Sequence, residues 1–319
     1  MGLGDAAQGE FQGVKILVAG SSGLIGRAVC SALRADDHEV TRLVRREAAA
    51  ADELAWHPAA GELPLEACRK ADAVINLCGA DLAAARWTSK RRSEIRTSRI
   101  DATQTLAKIF IGPGANPASG PGIFISASAI GIYGDRGNLE LSESSGPGNG
   151  FLPDLCRDWE GAAMAAESGA RVVCARFGIV LSHEGGLLQR IVPYYRAGLG
   201  CSLGTGRQWM SWIEIEDAVG AVRFALTDAS MSGAVNLVAP TSVTNAGLTR
   251  ALGRIFGRQV PMPIPPILLR VLYGRIADEA LLASAHVVPV KLVKAGYPFR
   301  YPNLEDALYQ ALAMEKTEG

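Results

Sequence analysis

Thirteen residues, Val14 to Gly26 (V-K-I-L-V-A-G-S-S-G-L-I-G), restrict the fold more than any other stretch of the chain. Val14, Ile16, Leu17, Val18 and Ala19 form an apolar run rich in β-branched residues, which suits a strand buried on both faces. Gly20, Gly23 and Gly26 follow at G-x-x-G-x-x-G spacing, and Leu24 and Ile25 begin a helical pattern. Glycine lets the backbone come close to a pyrophosphate, and a helix N-terminus offers free N–H groups and the positive end of its dipole. Strand, glycine turn and helix in that order predict a dinucleotide contact made by Gly20, Ser21, Ser22, Gly23, Leu24, Ile25 and Gly26. A tight strand-to-helix turn without ligand is the competing reading of the same spacing.

The next segments repeat the alternation. Leu24 to Arg34 reads as a helix and Val40 to Val44 as a second strand. The end of that strand lies beside the adenosine ribose in dinucleotide folds, where an acid suits NAD and basic residues suit the 2′-phosphate of NADP. Here Arg45 and Arg46 stand there, with no acid before Glu47, which favours NADP(H). Leu54 to His57 reads as a short strand, with Trp56 either flanking the adenine or in the core. Ala71 to Leu77 reads as a fourth strand, and Asn76, Leu77, Cys78 and Gly79 at its carboxyl end are candidate cofactor contacts.

A long helical stretch, Trp87 to Phe110, has Ile95, Ser98/Arg99, Ala102, Leu106 and Ile109 on its inner face and the basic cluster Lys90, Arg91 and Arg92 toward solvent. Ile123 to Ser126 is a fifth strand, running on to Ser128 and Tyr133; Pro153 opens a helix; Arg171 to Phe177 is a sixth strand. Ser126 and Arg176 on these strands count with the cofactor contacts, and hydroxyls at a strand's carboxyl end suit proton chemistry. The expected fold is α/β, a Rossmann-type doubly wound parallel sheet with a smaller mixed α/β C-terminal substrate region. Residues 1–13 read as a tail and 14–182 as the dinucleotide-binding domain, to which segments near 208–240 return. Residues 183–319 form the substrate side, with C-terminal helices near Ile267–Tyr273, Asp278–Ala285, Pro289–Ala295 and Leu304–Met314.

Charge narrows the partners. Lys plus Arg equals Asp plus Glu at 32 each, which argues against nucleic acid or an anionic membrane. The six cysteines are scattered without C-x-x-C and the four histidines lack ligand spacing, so a reducing compartment is expected and a metal site is not. No apolar run reaches the length of a membrane span. The tail, with Asp5 and Glu10 and neither Lys nor Arg, looks like neither a signal nor a transit peptide, and leaves cytoplasm and organelle stroma or matrix both open.

These residues together resemble the extended short-chain dehydrogenase/reductases, and more closely their atypical NAD(P)-dependent "epimerase family protein" branch. The resemblance runs through Gly20/Gly23/Gly26, Asn76-Leu77-Cys78-Gly79, Arg86-Trp87-Thr88 with Ser98-Arg99-Ile100, and Ser126-Ala127-Ser128 with Tyr133-Gly134. It continues through Cys156-Arg157-Asp158-Trp159-Glu160, Gln208 to Ile213 and a C-terminal stretch that looks like the branch's small extra domain. The resemblance implies a bound NADP(H) and a substrate cleft between the sheet and the C-terminal part. It also implies a Tyr-x-x-x-Lys pair on the helix opened by Pro153. Aligned on Glu160, those positions hold Leu152 and Cys156; shifted by one, Phe151 and Leu155. Ser128 keeps the accompanying hydroxyl position, and Tyr133 is the nearest tyrosine. Two functions are therefore expected to compete: an NADP(H)-dependent oxidoreductase or epimerase working through Ser128, Tyr133 or water, and a non-catalytic NADP(H)-binding sensor or assembly factor.

Overall fold

The computed structural model describes residues 13–313 except 113–114, 116–119 and 261. The expected N-terminal tail up to residue 12, most of the Gly/Pro/Ser connection before Gly122 and Met314 lie outside the described residues.

Seven parallel strands form the central sheet: β1 (Lys15–Ala19), β2 (Glu39–Val44), β3 (Glu53–Ala55), β4 (Ala73–Asn76), β5 (Ile123–Ala129), β6 (Arg171–Phe177) and β7 (Gly233–Leu237). Their order is β7-β6-β5-β4-β1-β2-β3. The order reverses between β1 and β4, which opens a crevice at the carboxyl ends of those strands.

The pleat of β1 sends its side chains alternately to two layers. Ile16 and Val18 join Val29 and Leu33 of helix α1 (Leu24–Ala35) and, through the same cluster, Ala221 and Val222 of a later helix (Ile215–Thr227). Leu17 and Ala19 join Leu106 of α2 (Ser89–Ala107) and Ala163 of α3 (Phe151–Met164). Thr88 caps α2 by accepting from the Arg91 N–H at 3.1 Å. Its buried face carries Ile95, Arg99, Ala102 and Leu106 as the periodicity predicts. The basic cluster differs from expectation: Lys90 is exposed, but Arg91 and Arg92 are half-buried. Arg91 bonds the Asp81 carbonyl and Glu94, and Arg92 lies 5.9 Å from the Phe151 ring.

The C-terminal part packs its own core, with Leu188, Val192, Leu248, Leu252 and Leu308 in one cluster. The helix expected over Asp278–Ala285 is only a π turn over Ala277–Leu281. Beyond it, Ser284 donates through its hydroxyl to the Gly137 carbonyl at 2.6 Å, and its own carbonyl accepts from the Arg136 N–H at 2.9 Å. His286–Val287 then pairs with Glu140–Leu141. Tertiary bonds have overridden the local helical pattern.

Glu214 caps the helix Ile215–Thr227. It is 1% exposed, its carboxylate accepts from the Glu216 N–H at the start of the Ile215–Thr227 helix, and burial raises its pKa to about 7. A carboxyl raised on folding contributes stability that is complete below its unfolded value near 4.5 and is lost as pH rises through 7. Glu214→Gln keeps an acceptor for the cap. It is expected to flatten the pH dependence of melting between those values and to raise stability at pH 8 by about 1–2 kcal/mol.

Candidate functional site

The glycines of the first turn divide by what excludes their side chains. Gly20 has φ +81°, and a Cβ there would lie 2.6 Å from the Leu77 carbonyl group. A Cβ on Gly26 would lie 2.1 Å from the Gly20 carbonyl oxygen. Both are demanded by the protein itself. Gly23 is different: a Cβ would meet only the Gly20 oxygen, at an ordinary 3.4 Å. Ser22 and Gly23 are exposed, no side chain caps α1, and its first turn has no acid. The bare N-terminus, with room above Gly23, fits a pyrophosphate approaching from outside the chain.

The two arginines after β2 part company. Arg46 donates to both oxygens of Glu53, at 2.8 and 2.7 Å, and Glu53 is itself buried. Arg45 is exposed and makes no ion pair among the described residues. Burial pushes the Cys78 thiol up to about 12, and the Arg45 charge works against that shift. Arg45 therefore lies near the loop after β4 with its guanidinium available, whereas Arg46 does not.

Asn76 and Ser126 lie beneath the crevice. Asn76 is fully buried; its amide donates to Thr103 Oγ1 at 2.8 Å and Ser126 Oγ at 3.2 Å, and its oxygen accepts from the Cys78 N–H at 3.1 Å. These bonds shape the Leu77–Gly79 turn. Trp56 is core, at 2% exposed.

Beyond Ser126, β5 continues to Ala129 and carries Ser128 into a buried polar chain. Ser128 Oγ donates to Glu160 Oε1 at 2.6 Å. Arg176 donates to both Glu160 oxygens, at 2.7 and 2.8 Å, and to the Tyr133 hydroxyl at 2.8 Å. Tyr133 in turn donates to Asn236 Oδ1 at 2.7 Å. Arg176, expected to touch the cofactor, is thus 7% exposed and committed to Glu160 and Tyr133. Tyr133 is 0% exposed, and burial pushes its phenol above its ordinary pKa, the reverse of what proton transfer by tyrosine needs. Leu152 and Cys156 are buried apolar positions on α3, and burial drives the Cys156 thiol up to about 12, so it is no nucleophile. The first turn of α3 is held from the C-terminal part, where Glu279 accepts from the Leu152 N–H at 3.0 Å.

Sequence reasoning passed over Glu160 and Asn236 as functional groups. Nothing in their local spacing marks them, since their partners lie on distant strands. Among the described residues no cluster of His, Cys, Asp and Glu could hold a metal ion, and no helix is long and apolar enough to cross a membrane.

Residues 16–237 match the family profile of the NAD-dependent epimerase/dehydratases. The chain belongs to that family. Residues 264–311 match a second profile, the domain of unknown function DUF1731, which covers the segment carrying Glu279. The "Epimerase family protein MT2273" of Mycobacterium tuberculosis is 45% identical over 294 residues, spanning 92% of this chain and 96% of that protein. The human epimerase family protein SDR39U1 (isoform 2), solved with NADPH, superposes with a TM-score of 0.84 at 31% identity over 94% of this chain and 99% of that one. A nucleoside-diphosphate sugar epimerase from Corynebacterium glutamicum superposes with a TM-score of 0.77 at 32% identity, over 94% of this chain and 58% of that one. The family resemblance and the small C-terminal domain read from the sequence both stand. This is an NAD(P)-binding protein of the epimerase family.

Proposed function

We propose that this protein is an NADP(H)-dependent oxidoreductase or epimerase acting on a hydroxyl of a small polar or sugar-like substrate. The observation that carries the chemistry is the 2.6 Å bond from Ser128 to Glu160 at the carboxyl end of β5. NADP(H), when bound, supplies or accepts a hydride. In the oxidative direction the substrate hydroxyl gives its proton to Ser128 Oγ as the Ser128 proton passes to Glu160; the reverse sequence returns it to a carbonyl oxygen. Arg176 fixes the Glu160 carboxylate with two hydrogen bonds, so that Oε1 faces the Ser128 hydroxyl. The Corynebacterium relative's description as a nucleoside-diphosphate sugar epimerase supports nucleotide sugars as the first substrates to try. Ser128→Ala is expected to cut turnover about 100-fold or more while NADPH binding stays intact, followed by nicotinamide absorbance across a panel of nucleotide sugars and small carbonyl compounds.

The phosphorylated cofactor is favoured by Arg45 and by the NADPH in the human relative. Arg45→Ala should narrow the preference for NADPH over NADH about tenfold or more, whereas Arg46→Ala should leave it unchanged. Titrations of both nucleotides against both variants check this, and equal loss in the two would sink the assignment.

A second reading, a non-catalytic NADP(H) sensor or assembly factor, is favoured by the buried Tyr133 and the apolar Leu152 and Cys156. Tight NADPH binding with no turnover on any substrate, and full cellular function of Ser128→Ala, would select it.

A further inference from the structure

Arg99 is a buried charge that the proton relay leaves without a role. It is 8% exposed, on the inner face of α2, where an apolar residue would be expected. Its guanidinium has five donors but among the described residues makes two hydrogen bonds, from Nη1 to the Ile95 carbonyl and from Nη2 to the Ala80 carbonyl, both at 3.1 Å. Arg99 has no carboxylate in ion-pair contact among the described residues, and burial lowers its pKa. A guanidinium buried without a carboxylate in ion-pair contact is costly, and the more distant Asp81 charge only partly opposes the effect of burial. Yet the surroundings hold it firmly. The Trp159 ring lies 5.1 Å away, and Trp159 Nε1 donates to Thr103 Oγ1 at 2.9 Å, the same hydroxyl that takes the Asn76 amide.

The position is informative. Gly79 stands against the guanidinium: a Cβ there would lie 3.0 Å from Arg99 Cζ and 3.3 Å from Nε. Cys156, which holds the superfamily's lysine position in the register aligned on Glu160, is near enough that its thiol and Arg99 act electrostatically on each other. Helices α2 and α3 cover the sheet face opposite α1. With the pyrophosphate on α1 and the adenosine beside Arg45, the other half of a dinucleotide must cross the ends of β4 and β5 toward Ser128. The loop after β4 borders that route, and Arg99 packs against its Gly79.

We propose that Arg99 binds the nicotinamide-side ribose of NADP(H), supplying from α2 the cation and donors that Cys156 cannot supply from α3. The assignment rests on the NADP(H) reading above. Two probes separate them: NADPH, which would span the whole crevice, and adenosine 2′,5′-bisphosphate, which would fill only the adenosine end.

In Arg99→Met, NADPH affinity should fall about 10- to 100-fold while adenosine 2′,5′-bisphosphate binds as tightly as to the wild type; Arg99→Lys should recover most of the NADPH affinity. Arg99→Gln, which can still donate to the Ala80 carbonyl, replaces the methionine variant if that one fails to fold, with the same expected selective loss. Calorimetric titration of each variant with both probes reads the result. Unchanged NADPH affinity overturns the assignment. So does an equal loss for both probes, because Arg99 would then only clamp the Gly79–Ala80 loop. A wild-type protein that binds neither probe overturns the NADP(H) reading and this assignment with it. Where the wild type binds both, the NADP(H) reading holds, and a failure in the variants counts against Arg99 alone.

Discussion

Gly23→Asp is expected to abolish stabilisation by NADPH while the unliganded protein melts at the wild-type temperature or slightly above it. Gly23 occupies the N-cap of α1 with extended backbone, φ −72° and ψ 170°, and a Cβ there meets nothing closer than 3.4 Å. Aspartate is among the best N-caps and gains a few tenths of a kcal/mol over glycine by accepting from the first-turn N–H groups. Those are the same N–H groups a pyrophosphate needs, and the carboxylate adds charge repulsion. At a ligand concentration 100 times Kd the wild type gains about 2.7 kcal/mol from binding, all of which the variant should lose. Thermal melts with and without NADPH read both effects. Gly26→Ala provides the contrast, because its Cβ would overlap the Gly20 oxygen and destabilise the fold with or without ligand. Should NADPH leave the wild-type melting temperature unmoved, the glycine turn would be structural only.

Glu160→Ala should be the most destabilising single change at the site, by about 3–5 kcal/mol. Its carboxylate neutralises Arg176, whose side chain is 8% exposed, and accepts the Ser128 proton. Without it Arg176 keeps, among the described residues, the hydroxyl and ring of Tyr133, and a buried cation loses its counter-charge. Denaturant unfolding measures the loss. Arg176→Met in the same background removes the orphaned charge and should restore part of the stability. If the double variant is as unstable as the sum of the single ones, the pair does not act as a unit. Glu160→Gln is milder. It keeps the shape and one acceptor but cannot take a proton, so on the oxidoreductase reading it separates lost turnover from lost folding.

These two results bear on different claims. The first tests whether the crevice is a nucleotide site. The second tests whether the polar chain behind Ser128 is built as a unit. The substrate-side segment that follows is also fixed by long-range contacts. Trp209 stacks on His286 with ring centroids 4.3 Å apart and donates to Asn138 at 3.2 Å, joining three segments remote in sequence.

Local pattern alone determined the strand–turn–helix unit, the alternation that makes a doubly wound sheet, and the inner face of α2. Each depends on residues within a few positions of one another, where periodicity and backbone freedom act directly. Fifth-strand length was less legible, because the polar Ser126 and Ser128 interrupt an apolar run that pairing with β6 nevertheless carries on to Ala129. Arg45 and Arg46 could not be told apart in sequence; Glu53 distinguishes them by claiming only the second. Arg176 and Tyr133 looked available because their captors, Glu160 and Asn236, are distant in the chain. The charged residue among the apolar positions of α2 was visible, but its meaning depended on the Gly79–Ala80 loop packing on it. Propensity and periodicity act along the chain, whereas ion pairing and burial act through space. Elements could therefore be read in advance, but which charges remain free for a ligand was decided only when the sheet brought their partners together.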